Sequence, residues 1–334
     1  MISTKPRDFF KKFIKLISPR NVFFLFLAAV LIVIFSCFFL LRREVNVARN
    51  QIYEILPGLS SREIAYDLAA KKIIKDPALF NYYIKLKHLD KNLQSGRFTF
   101  SGEPMDMVGL VRFLTSGARA KEITLTIPEG YTASEIAGVL TSRKIAQADD
   151  FLQLVERRDL EGYLFPDTYR LYEDSTAREL IEKMLANFER KLTPDLRAEI
   201  LRQGHSVKDV VIMASILEKE VRTEQDMKLA ADILWRRLNS GWLLQVDSSL
   251  NYVLATKDPA LSYASMQIDS PYNTYKHQGL PPTAIGNPGL QAILAAIYPL
   301  ANDYWFYLSK PSGETVFART LAEQESNKEK YFIY

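Results

Sequence analysis

The chain holds one cysteine and three histidines in 334 residues. With Cys37 alone no intrachain disulfide can form, so the fold must be held by packing. His88, His205 and His277 are scattered, and no second cysteine joins them, so no metal site is readable. The usual nucleophile signatures are missing too. No serine has lysine three residues later, and neither G-x-S-x-G nor H-E-x-x-H occurs. Cationic surface is equally scarce. The net charge is +4, but Lys5, Arg7, Lys11, Lys12, Lys15 and Arg20 crowd into the first segment against Asp8 alone. The remainder is close to neutral, so no nucleic-acid partner is expected.

What is present begins with "VFFLFLAAVLIVIFSCFFLL", residues 22–41. Twenty uncharged residues rising 1.5 Å each span about 30 Å, the thickness of a bilayer core. A cleaved signal peptide would have a shorter apolar stretch and a small-residue cleavage site, and none precedes Arg42. A lipoprotein signal at Cys37 is disfavoured by Phe35 and by the apolar residues that follow it. The run predicts a single-pass transmembrane helix over 22–41. The basic segment 1–21 would then be cytoplasmic, with residues 42–334 on the other side. That exported part has the composition of a globular protein and the length for two or three domains.

A repeat appears at a spacing of 72 residues. "PGLSSREIAYDLAAKKII" from Pro57 resembles "EGYTASEIAGVLTSRKIA" from Glu129. Gly58 matches Gly130, and Glu63-Ile64-Ala65 matches Glu135-Ile136-Ala137. Both copies place a capping box just after a glycine turn, Ser60 with Glu63 and Thr132 with Glu135. Each predicts an amphipathic helix, then a second one starting near Asp76 or Asp149. "VNVAR", "GRFTF" and "EITLTIP" predict strands. Beyond Phe151, "LEGYLFPDTYRL" reads as an aromatic, turn-rich loop. Helices are expected over 176–191, from Ser206 toward Asp226, and over 227–239. Residues 270–289 are too rich in Pro, Gly and Asn for a regular element, and irregular segments of that length are usually functional. A further helix, a hairpin ("YWFYLS" and "TVFAR") and a polar terminal helix complete the chain.

The chemistry is sought on "VIMASILEKEVRTE", from Val211 to Glu224. Val207, Val210, Val211, Ala214, Leu217 and Val221 follow the helical i, i+3, i+4, i+7 rule and define a buried stripe. Glu218 falls on that stripe, whereas Glu220 falls on the opposite face and is expected to be wet. A buried glutamate is commonly just paired, here with Arg222 four residues on. The alternative is a carboxyl whose pKa is raised by desolvation, suited to general acid–base work. Carboxylates, amides and aromatics are what a sugar site uses, and Gln245, Asn251, Tyr252, Tyr272, Asn273 and Tyr275 supply the amides and aromatics.

The runs "LEGYLFPDTY", "ASILEKE", "LQVDSS" and "SPYNTYKHQGLPP…GNPG" resemble, in this order, blocks of the YceG-like family, the endolytic murein transglycosylases. The resemblance covers about residues 45–334. It implies an α+β chain with one N-terminal transmembrane helix, two LysM-like α+β repeats over 45–157, and a mixed α+β catalytic domain over 158–334. It further implies a bacterial inner-membrane lyase that cuts glycan strands between N-acetylmuramic acid and N-acetylglucosamine, leaving a 1,6-anhydromuramic end. Glu218 matches the family's catalytic glutamate. Gln245, Asp247, Tyr272, Asn273 and Tyr275 are candidate glycan contacts, and Asp247 and Glu161 the acids to watch for hydrolysis. No cofactor or metal is expected. Peptidoglycan strands are the expected partner, with peptidoglycan synthases (penicillin-binding proteins) as candidates. Two departures stand out: Thr283-Ala284 where many relatives have Gly-Pro, and Gln324-Glu325 where a His-Asn pair is common. The competing readings are a non-enzymatic wall-binding scaffold and a muramidase-type hydrolase.

Overall fold

The computed structural model describes residues 19–116, 119–145, 148–256, 261–310 and 312–331. The chain is mixed α+β, and its described strands form separate two-stranded antiparallel sheets. It divides into two compact units, Met1–Lys121 and Glu122–Tyr334.

In the first unit, α1 (Pro19–Leu41) contains a 20-residue apolar stretch of mean hydropathy 3.1. None of that stretch is buried, and its length and composition suit a membrane crossing. The basic residues ahead of it lie mostly outside the described part. β1 (Ile52–Ile55), α2 (Ser61–Ala70), α3 (Pro77–Leu86), β2 (Gly96–Thr99) and α4 (Met107–Ser116) follow. The Ser60–Glu63 box caps α2 reciprocally, and Asp76 caps α3 with Pro77 at its first position. Tyr53 lies opposite Phe98 across the sheet, and both enter a core with Phe80, Phe100 and Leu110.

The strand expected over "VNVAR" does not form. The Val45 N–H goes to the Met105 carbonyl and the Asn46 N–H to that of Ile73, so no single neighbour can build a ladder. Glu44 makes only an isolated bridge with Asp106. β1, a strand the sequence does not predict above, alternates exposed Ile52 and Glu54 with buried Tyr53 and Ile55.

The second unit opens with the same order: β3 (Glu122–Thr126), α5 (Ala133–Arg143), α6 (Ala148–Arg158), β4 (Thr168–Tyr172) and α7 (Ala177–Lys191). Thr132–Glu135 and Thr176–Glu179 boxes cap α5 and α7. β4 corrects the expectation of a loop up to Leu171. Beyond Asp167, Tyr169 and Leu171 turn inward while Thr168 and Arg170 turn out, and the segment pairs with β3.

Next come α8 (Pro194–Arg202), α9 (Val207–Glu220), α10 (Glu224–Asn239), α11 (Asp247–Leu254), α12 (Tyr263–Met266) and α13 (Leu290–Ile297). The hairpin β5 (Phe306–Ser309) and β6 (Thr315–Ala318) and the terminal α14 (Leu321–Tyr331) finish the unit. Residues 270–289 hold no helix or strand. Ser206 and Asp209 cap α9 reciprocally, at the start the sequence predicts. The helix stops at Glu220, because Val221 is extended and Thr223 starts a new cap for α10. The single helix expected toward Asp226 is therefore two. Every residue from Val210 to Leu217 is buried, with α8, α10, α11 and α13 packed around them. A helix covered on all sides has no wet face.

Candidate active site

Glu218 sits in the last turn of α9, half-buried, where α9 meets the N-terminus of α13. Its Oε2 accepts a 2.9 Å hydrogen bond from the Gly289 N–H, the cap residue of α13. Oε1 has no hydrogen-bond partner among the described residues. Burial pushes the Glu218 carboxyl above the ordinary range, and nearby Glu129 pushes the same way. The Gly289 N–H and Lys219 pull against them without reversing the direction. Lys219 is itself drawn toward Glu135, 3.8 Å away. Arg222 makes no ion pair with Glu218. The helix ends before it, so the i+4 geometry is lost, and its guanidinium lies against Gly313 in the β5–β6 turn. Backbone space around the acid is tight. A Cβ on Gly130 would stand 3.2 Å from Glu218 Cγ, and one on Gly289 would collide with the Glu129 carboxylate.

A cleft of about 2340 Å³ opens here, lined by Glu218, Glu161, Tyr252, Asp247, Gln245, Tyr272 and Tyr275 among others. Glu161 is half-buried, and desolvation pushes its carboxyl up to about 7. It accepts from the Ala133 N–H at 3.1 Å, the Asn287 side-chain amide at 3.0 Å and the Tyr252 hydroxyl at 3.4 Å, which moderate the rise. Asn287, which the sequence reading did not single out, is the hub. Fully buried, its Oδ1 accepts from the Gly162 and Leu164 N–H groups, and its Nδ2 donates to the Tyr131 carbonyl and to Glu161. Its backbone exchanges bonds with Gly130 and Tyr131. One side chain thus ties the second repeat copy, the "EGYLF" loop and the "GNPG" loop together.

Glu220 overturns its expected wet position. Its carboxylate accepts from the Ser248 N–H at 3.2 Å and the Tyr307 hydroxyl at 3.4 Å. Burial first, and neighbouring Asp247 next, raise its pKa. The hairpin and the start of α11 cover the face that helical periodicity alone assigns to solvent. Arg237 is buried close by and donates to the Leu244 and Trp305 carbonyls rather than to an acid.

The structure brings most sequence-derived candidates into the cleft. Gln245 is exposed there with a left-handed backbone, φ +54°, held by a bond from its N–H to Thr274. A non-glycine residue in that conformation marks a constrained position. Asp247 accepts from the Tyr275 hydroxyl. Tyr272 packs at 5.4 Å from Tyr252 and meets the Thr283 hydroxyl at 2.7 Å. Asn273 lies elsewhere. It is fully buried, its amide donates to the Met266 and Ile268 carbonyls, and its Oδ1 accepts from the Tyr275 N–H. It shapes the loop instead of facing the cleft. Gln324, at one departure from the family pattern, is buried and donates to the Tyr307 carbonyl. Among the described residues, no group of three His, Cys, Asp or Glu side chains could hold a metal ion.

The model of the YceG-like family matches residues 53–330. This chain belongs to that family. As a YceG-like protein it is 32% identical over 299 residues to an endolytic murein transglycosylase of Bacillus subtilis, covering 82% of each chain. It is 28% identical to one of Streptococcus pneumoniae, covering 86% of this chain but 59% of the relative. A crystal structure of a YceG-like protein from Listeria monocytogenes superposes with a TM-score of 0.57 at 30% identity. That match covers 84% of this chain and all of the other.

Proposed function

We propose that the chain is a membrane-anchored endolytic peptidoglycan lytic transglycosylase with Glu218 as its acid and base. The observation that carries this is the state of Glu218. It is a desolvated carboxyl with a raised pKa, one oxygen held by a helix N-terminal N–H, the other without a partner among the described residues, beside a polymer-sized cleft. Desolvation favours the protonated form needed to donate to the glycosidic oxygen between N-acetylmuramic acid and N-acetylglucosamine. The C1–O bond then breaks. The Gly289 N–H stabilises the carboxylate left behind. That carboxylate takes the proton of the muramic C6 hydroxyl as its oxygen bonds to C1, closing the 1,6-anhydro ring. No water enters, so one carboxyl suffices, unlike an inverting hydrolase.

In this reading Gln245, Asp247, Tyr272 and Tyr275 contact the glycan, with Asn273 holding their loop. α1 anchors the chain in the inner membrane with its N-terminus cytoplasmic. The two repeat copies, read as LysM-like modules, hold the strand, and cleavage near peptidoglycan synthases terminates strand elongation.

The test is the full-length protein against its Glu218→Gln variant on uncrosslinked glycan, with product ends weighed by mass spectrometry. Anhydro ends from the wild type alone are expected. Hydrated ends would instead indicate a muramidase-type hydrolase, with Glu161 or Asp247 as second acid. Anhydro ends from the Gln variant would remove Glu218 from the chemistry. No cleavage by either, with glycan still bound, would leave a wall-binding scaffold.

A further inference from the structure

The cations lining the cleft are not equivalent. Lys219 is drawn to Glu135, and Lys310 pairs with Glu314 at 2.8 Å. Arg237 is buried and spends its donors on backbone carbonyls. Arg222 is different. It is exposed, it lines the cleft, and no carboxylate among the described residues pairs with it. It also has a prepared seat. A Cβ on Gly313 would stand 2.2 Å from Arg222 Nη1 and 2.5 Å from Cζ, so the guanidinium lies flush on a position only glycine leaves open. Gly313 has φ +89°, which favours glycine a second time. Lys328, also exposed, lines the cleft as a second cation, without the glycine seat that fixes Arg222.

We infer that Arg222 binds a carboxylate of the stem peptide carried by the strand being cut. This rests on the transglycosylase reading above and adds the part of the substrate that the sugar contacts leave unread. The sugars of a peptide-bearing strand are uncharged, because the lactyl carboxyl is consumed in the amide to the peptide. Anions near the cut therefore reside on the peptide. A planar guanidinium with no carboxylate partner among the described residues is matched to such a group. The reach agrees. Arg222 is four residues from Glu218, at most about 14 Å of extended chain. A carboxylate two or three units out along the peptide from muramic C3 lies roughly 10 Å away.

The test compares full-length protein on two uncrosslinked strands, one with native peptide carboxylates and one with those groups converted to carboxamides. The wild type is expected to cut the carboxylate strand about tenfold better in kcat/KM, as one charge-assisted contact would give. In Arg222→Gln the ratio falls to about one. Arg222→Lys keeps part of the preference, and added salt reduces it in the wild type. A wild type that cuts both strands alike overturns the inference, as does a preference that survives in Arg222→Gln. Absence of anhydro ends from both strands with wild-type protein is the separate signature of a failed transglycosylase reading.

Discussion

Gly58 and Gly130 hold the same place in two copies of one module, and their surroundings differ completely. Both are in the left-handed region, at φ +86° and +75°, ahead of a reciprocal capping box and an inward Glu-Ile-Ala helix. A Cβ on Gly58 would meet nothing described within 4 Å, whereas one on Gly130 would press on Glu218. The first copy closes its own core. The second lends its glycine turn and the first turn of α5 to the wall around the acid, through Asn287 and Glu161. A duplicated packing unit has the proposed acid as a neighbour in one copy, and contacts alone distinguish the two.

The sharpest way to break this comparison is to remove the acid that Gly130 abuts. Glu218→Gln should lower anhydro-end formation by about 10²–10⁴-fold with the denaturation midpoint near wild type, read by product mass and urea unfolding. Asn287→Ala removes what sets the second copy apart. It leaves the Gly162 and Leu164 N–H groups without their acceptor in a buried place, and should cost about 3 kcal/mol or more in urea unfolding. Gly130→Ala should cut kcat about tenfold by displacing Glu218, beyond the strain both glycines share. A kcat equal to wild type would dissolve the distinction.

Glu161→Gln probes the same wall through pH. The folded carboxyl sits near 7, above its ordinary value of 4.5, so the native state holds the extra proton between them. Stability from this group is therefore full below about 4.5 and declines as pH rises through about 7. The Gln variant should flatten that decline in melts between pH 5 and 8, by on the order of 3 kcal/mol at most. Gly58→Ala is the smallest change. Left-handed strain alone should cost about 1 kcal/mol, with less effect on catalysis than Gly130→Ala.

Much of this was legible along the chain because the signals are local. Capping boxes at Ser60 and Thr132 act within four residues and form as the pattern predicts, and the helix expected from Ser206 starts there. The apolar stripe on α9 marked Glu218 correctly as an inward acid. The strands β1 and β4 are not predicted although their alternation is present in "IYEI" and "TYRLY", the latter behind an aromatic, turn-rich stretch. Shifting β1 by the repeat spacing lands on β3, so the duplication itself could have revealed it.

Glu220 shows where that reasoning stops. Helical periodicity ranks faces by the residues a helix carries, and cannot register a hairpin from residues 306–318 laid over the polar side. Asn287 is the same case, since an asparagine in a Pro- and Gly-rich loop reads as a turn residue until four distant backbone groups converge on it. Sequence alone determined the long apolar N-terminal helix, the duplicated helices and which α9 acid lies on the apolar stripe, because each depends on neighbours a few residues away. Tertiary structure alone decided which repeat copy serves the cleft, that both α9 acids are covered, and that Arg222 turns to Gly313 rather than to Glu218. Those outcomes depend on groups roughly 70 to 160 residues apart being brought within hydrogen-bond reach, which no local pattern encodes.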